Sequence, residues 1–366
     1  MTVTFCIPVS AADAAPSRLV AALTAGSDDI EIVVAAPEAI AGDLPALSAD
    51  PRLRLVTAPL DPGDLRALWR LALENATGDW VTLVEPGDMI EAGLAALSGF
   101  VEGVAPSADA IGWNTFQIDP RQDAAAADSV AVPTSFNVHT FEKTAMLKAF
   151  FYWQGSLDVP KVPFGVFHGL VRRPLLETML AIPDAMPWTT PVPRFEWTAK
   201  TVLCADALVF CARPMSAINA LPFDAVPVAP GGFPLHAGIG ITAAVAEAQF
   251  YVLRSLGSDW LGAEADFIRA CIIDCMKEVE PARFEAKARA YGAALAALDP
   301  ALARAFQPQF RGRPPRDTRR GLHGDTLMVD RFLGGARDAQ DFFGVVRAMI
   351  APLDFIGTNV VRAGVV

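Results

Sequence analysis

No run of apolar residues in this 366-residue chain approaches the roughly 20 needed to cross a bilayer as a helix. The richest stretch, residues 237–246, is short and heavy in Gly and Ala. Positive charge is scarce: 30 Lys and Arg against 41 Asp and Glu leave a net charge of −11. That balance excludes a general nucleic-acid binder, whose phosphate-facing surface is basic. Disulfide patterning is missing too. Cys6, Cys204, Cys211, Cys271 and Cys275 are odd in number and lie mostly in apolar segments, so they read as buried thiols of a reducing cytoplasm. Cys271 and Cys275 share a helical face, but no nearby Cys or His completes a zinc set. No Gly-x-Gly-x-x-Gly follows the first apolar run, and no Gly-Lys-Ser/Thr loop is present, which disfavours a dinucleotide-binding dehydrogenase and a P-loop enzyme. A strand pattern starts directly after Met1 and Thr2 without a basic leader, so the expectation is a cytoplasmic protein without a secretory signal.

What remains is an apolar chain, 52% hydrophobic, with core material for two domains or one large domain and an appendage. Apolar strand-like runs at 3–8, 30–35, 53–57 and 80–84 alternate with helical patterns at 16–24, 37–47 and 65–76. That βαβαβαβ series predicts an α/β fold with a parallel sheet and right-handed crossovers. In the third helix Leu65, Leu68, Trp69, Ala72 and Ala76 fall on one face, with Asp61 as cap, Pro62 in the first turn, Asp64 where negative charge is favoured, and Gly78 as the left-handed stop. Trp80 to Val84 then reads as a strand covered on both faces, followed by the turn Glu85-Pro86-Gly87-Asp88. In open α/β sheets ligands sit beyond the carboxyl ends of the strands, so these two acids are placed to hold a divalent cation or a sugar hydroxyl. The alternative is that they cap a helix over 90–102. A strand is expected at 108–114 and an exposed excursion at 119–133.

The stretch Ala76-Thr77-Gly78-Asp79-Trp80 with its apolar strand and acidic turn resembles the family-two nucleotide-sugar glycosyltransferases, which have the GT-A fold. Phe5-Cys6-Ile7-Pro8-Val9-Ser10 is similar to their opening strand, with Ser10 at an Asn position, and Glu31-Ile32-Val33-Val34 to their second strand. The segment 165–176 resembles the part that returns a strand beside the acceptor site. Departures are plain. The acidic motif keeps only Asp88, its first acid is Glu85 and its middle acid Gly87. Ala35-Ala36-Pro37 stands where the second-strand acid belongs, with Glu38 two residues on, and Trp69-Arg70 replaces an Arg-Asn pair.

The resemblance, over residues 3–220, implies an inverting transfer of a sugar from a nucleotide-diphosphate donor to a glycan or lipid-linked acceptor, in polysaccharide or glycan biosynthesis. It implies Pro8, Ser10, Glu38, Arg70 and Glu85 around the donor, Asp88 on Mg²⁺ or Mn²⁺, and Glu196 as general base at a helix start. Glu196 also reads as an ordinary N-terminal helix acid, and Trp188 and Trp197 as sugar platforms or as core. The missing acids motivate a second reading, a non-catalytic descendant that binds glycan or scaffolds an assembly complex. A nucleotidyltransferase is a third, disfavoured because no Gly-rich basic loop follows the first strand. The expected organisation is a sheet domain at 1–222, a Pro/Gly linker at 223–238, and a mainly helical region at 239–366 with helices at 242–256, 263–279, 281–298 and 336–350. Arg304, Arg311, Arg313, Arg316, Arg319 and Arg320 cluster between helices. They suit an anionic acceptor or membrane surface, or a solvated loop, and this region is the candidate for peripheral membrane or homo-oligomer contacts.

Overall fold

The computed structural model describes residues 1–11, 16–42, 44, 50–122, 128–183, 190–220, 223, 232–262, 264–312, 317–353 and 356. Trp188, Arg313, Arg316 and half of the expected linker, residues 224–231, lie outside them.

The first half alternates as its pattern predicts: β1 (Val3–Pro8), α1 (Ser17–Gly26), β2 (Ile30–Pro37), α2 (Glu38–Ala41), β3 (Leu53–Ala58), α3 (Leu65–Glu74) and β4 (Trp80–Leu83). The order β3-β2-β1-β4 is parallel throughout, with Val3 opposite both Ile30 and Trp80. All six residues of β1 are buried, because helices cover both faces: Phe5 and Ile7 face one core, Cys6 the other. Two local expectations change. The cap of α3 is Asp64, which accepts the Ala67 N–H at 3.0 Å, with Asp61 and Pro62 in the turn before it. Gly78 is not a left-handed stop; a Cβ there would lie 2.6 Å from Thr4 Oγ1 and 2.7 Å from Thr2 O, so glycine is needed for close backbone approach.

The sheet continues with β5 (Met89–Ile90), β6 (Ala110–Ile118), β8 (Val138–Phe141), β9 (Leu170–Arg172) and β10 (Leu208–Asn219), while β7 is Ser129–Pro133. The full order is β3-β2-β1-β4-β9-β6-β10-β5, with β8 also on β10; β9 is antiparallel to β4 and β6, and β6 and β10 are parallel. The helix expected from 90 is therefore a two-residue strand paired to Ser216 and Ala217, and α4 starts later, at Leu94–Val104, with Gly93 as its cap. The acids of the Glu85–Asp88 turn do not cap it.

Helices α5 (Lys143–Phe151), α6 (Arg173–Leu180) and α7 (Pro193–Cys204) pack on one face, and α8 (Ile241–Ser255), α9 (Ala265–Met276) and α10 (Pro281–Leu298) extend the same apolar core. After α11 (Pro300–Ala305) the mainly helical region also contains strands. A hairpin of β11 (Gly321–His323) and β12 (Thr326–Asp330) pairs antiparallel to β7, inside the stretch expected to be an exposed excursion. Last, α12 (Ala339–Val346) lies on β6 and β10, where Phe342 meets Phe116 edge to face at 5.5 Å. All five cysteines are free thiols. Of the arginine cluster, Arg319 pairs with Asp317 and Arg320 with Asp330.

Candidate active site

A cleft of about 1120 Å³ opens where β4, β6 and β10 end. Its floor carries Glu85, Asp88, Gln117 and Asn219; one wall is the start of α3 and α7, and the other is the start of α8 and α10 with the end of α9. Parallel strands deliver their carboxyl ends to one edge, so the position is the one the fold favours for a ligand.

The acidic turn is clamped from three sides. Asp88 N–H closes the turn on Glu85 O at 3.0 Å. The Asn219 backbone N–H donates to Asp88 Oδ1 at 2.8 Å, and its side-chain amide donates to Gly87 O at 2.6 Å. From α12, Gln340 Nε2 donates to Pro86 O and Asp88 O, each at 3.0 Å. His168 Nε2 lies 2.9 Å from Asp88 Oδ2, and with the proton on Nε2 the ring donates to the carboxylate. His168 holds a left-handed backbone, φ +49°, and its buried Nδ1 meets no partner. A strained non-glycine residue persists only where its surroundings over-determine it.

Glu85 is open to the cleft. The protein walls still withdraw enough solvent, and Asp88 adds enough negative charge, to push its carboxyl up to about 7, with Arg194 opposing. Arg194, in the first turn of α7, faces these acids: burial lowers its pKa, while Glu85, Asp158 and Asp88 raise it. It stacks over Phe195 at 4.6 Å. On the far wall Lys277 pairs with Asp158, and Lys287 with Asp274 and Glu278, each at 2.9 Å for Lys287. Tyr291 O–H donates to Asp274 Oδ2 at 2.5 Å, fixing α9 to α10. Trp69 and Phe167 stack at 5.2 Å between ring centres, and the partly exposed Phe167 offers an aromatic surface inside the cleft.

Of the residues the sequence singles out, the structure brings Glu85 and Asp88 together here, and not the others. Pro8 is buried at the end of β1, Ser10 is partly exposed beyond it, and Glu38 is exposed at the start of α2; none of the three is among the described lining residues. Arg70 points away along α3, bridging Glu74 at 2.7 Å and donating to Leu180 O at 3.2 Å. Glu196 lies apart from the cleft. It is 1% exposed and does not line the cleft; Arg66 Nε meets Oε2 at 2.8 Å and Lys200 Nζ meets Oε1 at 2.7 Å. It lies two positions after Arg194, and about 100° per residue puts the two side chains roughly 200° apart around the helix. The helix start therefore presents an arginine to the cleft where an acid is expected. The Glu196–Lys200 spacing of four was the signal for an internal pair.

A divalent cation is tested by the donor set. Both Asp88 oxygens already accept hydrogen bonds, the residue is 2% exposed, and only Glu85 offers an open carboxylate. No group of three or more His, Cys, Asp or Glu side chains placed for a metal occurs among the described residues. Mg²⁺ demands near-octahedral oxygen ligation. These residues fit it weakly: Glu85 is the open carboxylate of the turn, and the rest of such a shell would fall to water and ligand oxygens.

No family model matches the chain. No curated protein matches it in sequence. Among solved structures it is similar to S. aureus TarS 1–349 in complex with UDP-GlcNAc, at 13% identity, covering 82% of this chain and 83% of that one, TM-score 0.48. It is similar to TarS 1–349 with UDP at 13% identity, 82% of each chain, TM-score 0.46. A longer S. aureus TarS structure is 14% identical over 90% of this chain and 60% of that one, TM-score 0.44.

Proposed function

We propose that this protein is a glycosyltransferase that takes a nucleotide-diphosphate sugar into the cleft and passes the sugar, with inversion, to a glycan or lipid-linked acceptor in glycan biosynthesis. The observation that carries the reading is that an open acid, Glu85, and an arginine, Arg194, line one cleft of about 1120 Å³ at the carboxyl edge of the sheet. That volume suits a ligand of nucleotide-sugar size. The acceptor oxygen attacks the anomeric carbon, the bond to the diphosphate breaks with its electron pair, and the acceptor proton passes to a carboxylate. Glu85 supplies it, since a carboxyl held up at about 7 is matched to proton transfer near neutrality. Phe167, backed by the buried Trp69, provides a face for the base or the sugar ring.

The inward pairing of Glu196 favours a second reading, a glycan-binding or scaffold protein without turnover. Transfer from UDP- and GDP-sugars to oligosaccharide acceptors, followed for nucleotide release in wild type and Glu85→Gln, separates the two. Release that falls at least about 100-fold in the variant supports the enzyme, in keeping with the contribution of a general base. Glycan binding with no release from any donor sinks it.

A further inference from the structure

We propose that the donor's diphosphate is neutralised in this cleft by Arg194, assisted by Arg283, in the place where a divalent cation would otherwise be required. The inference rests on the nucleotide-sugar reading and deepens it. Four cations line the cleft: Arg194, Lys277, Arg283 and Lys287. Lys277 is committed to Asp158, and Lys287 to Asp274 and Glu278. Arg194 and Arg283 form no ion pair or side-chain hydrogen bond among the described residues, and Arg194 lies over the ring of Phe195.

Arg194 lines the same cleft as Glu85 and Asp88. Its charge answers Glu85 first, then Asp158 and Asp88, so it already balances the acids of the floor. Pro193 in the first turn and the buried Phe195 fix α7 so that Arg194 is the residue turned into the cleft. A guanidinium carries five donors in a planar fork, enough to face a carboxylate on one side and two phosphate oxygens on the other. Asp88, whose ordinary duty would be to the metal, is occupied by His168 and by the Asn219 amide. An arginine drawn out of bulk water without a bidentate partner gains from an anion that completes its hydrogen bonds. Diphosphate is that anion, and it is common to every nucleotide-sugar of this class.

Calorimetric titration with inorganic pyrophosphate, UDP and GDP tests this independently of the base, each in chelator and in Mn²⁺. The expected result is binding of pyrophosphate and of at least one nucleotide in chelator, changed by less than about threefold by Mn²⁺. Arg194→Ala should weaken it by about 10- to 100-fold, the range of a lost charge-assisted hydrogen bond. Arg194→Lys, which keeps the charge and loses the fork, should fall between. Circular dichroism establishes that both variants are folded, and if Arg194→Ala is not, Arg194→Lys decides. Binding that needs Mn²⁺ and ignores Arg194 overturns the inference while leaving the donor reading intact. No binding of any of the three ligands in either buffer overturns both.

Discussion

Glu196→Gln separates the structural role of that carboxylate from the catalytic one its helix position suggests. The side chain sits 1% exposed beside Lys200 at 3%, and Arg66 holds it through contacts of 2.8 and 3.3 Å. Removing one partner of a buried ion pair costs about 3–5 kcal/mol, because the remaining charge is left uncompensated. Here Lys200 loses its anion and Arg66 loses one of its partners. Two features pull the figure to the lower end: the Arg66 side chain is 13% exposed, and the glutamine oxygen still accepts one hydrogen bond. Lys200 also keeps its position over the Trp197 ring at 4.7 Å. The expected loss is about 3 kcal/mol, read in urea as a lower midpoint with the slope unchanged. Pyrophosphate and nucleotide affinity, measured below the transition, should stay within about twofold, since neither partner faces the cleft. A variant as stable as wild type that binds donor normally and fails to transfer sugar would refute this, and would restore Glu196 as the base.

Glu247→Gln should act in the opposite direction. Glu247 is 4% exposed, accepts the Ala237 N–H at 3.1 Å, and burial pushes its carboxyl up to about 7. Its folded pKa lies above the unfolded one near 4.5, so the folded state holds the proton more tightly and stability declines as pH rises from about 4.5 to 7. Removing the charge should therefore stabilise the protein at about pH 8 by up to about 3 kcal/mol, with most of that gain gone at about pH 5, as denaturant midpoints at the two pH values will show. Gly112→Ala tests the sheet centre: a Cβ there would lie 2.2 Å from Pro163 O and 2.9 Å from Pro163 C, both backbone atoms that cannot rotate away. The expected penalty is about 3 kcal/mol, seen as a lower thermal midpoint; a change of under about 0.5 kcal/mol would mean that the strand and the 163 segment separate freely.

The legible parts of this fold are those whose burial writes a period into the sequence. β1, β2 and β4 are covered on both faces and appear as apolar runs; α9 and α10 bury one face each and appear at helical spacing, while α8 is buried on every side over residues 242–249. Strands that exist because a partner is present leave no such mark. Met89–Ile90 is too short to show a period, and Ser129–Pro133 lies in an Ala- and Asp-rich stretch that becomes a strand through pairing with Thr326–Asp330, nearly two hundred residues later in the chain. The same limit decides the site. The Glu85–Asp88 turn is visible because a buried strand ends there. Helix α7, by contrast, buries Phe195, Glu196, Trp197, Ala199, Lys200, Thr201 and Val202, so it has no polar face to reveal which way its first turn points. Its rotation is fixed by packing, and packing turns Arg194 rather than Glu196 toward the acids.

The floor of the cleft repeats that lesson at longer range. Asn219 at the end of β10 holds Asp88 and Gly87, its own side-chain oxygen accepts the Ala339 N–H at 3.0 Å, and Gln340 closes on the turn from the other side. A turn that would otherwise be a mobile loop is thereby held by the last helix of the described chain. Asp338, which caps that helix through Asp341 N–H at 2.8 Å, also anchors it to α1 through Arg18 at 3.2 Å. The distance from Arg18 to the acidic turn is thus spanned by one cap, one helix start and two amide side chains. The C-terminal region therefore belongs to the geometry of the site as much as the sheet does.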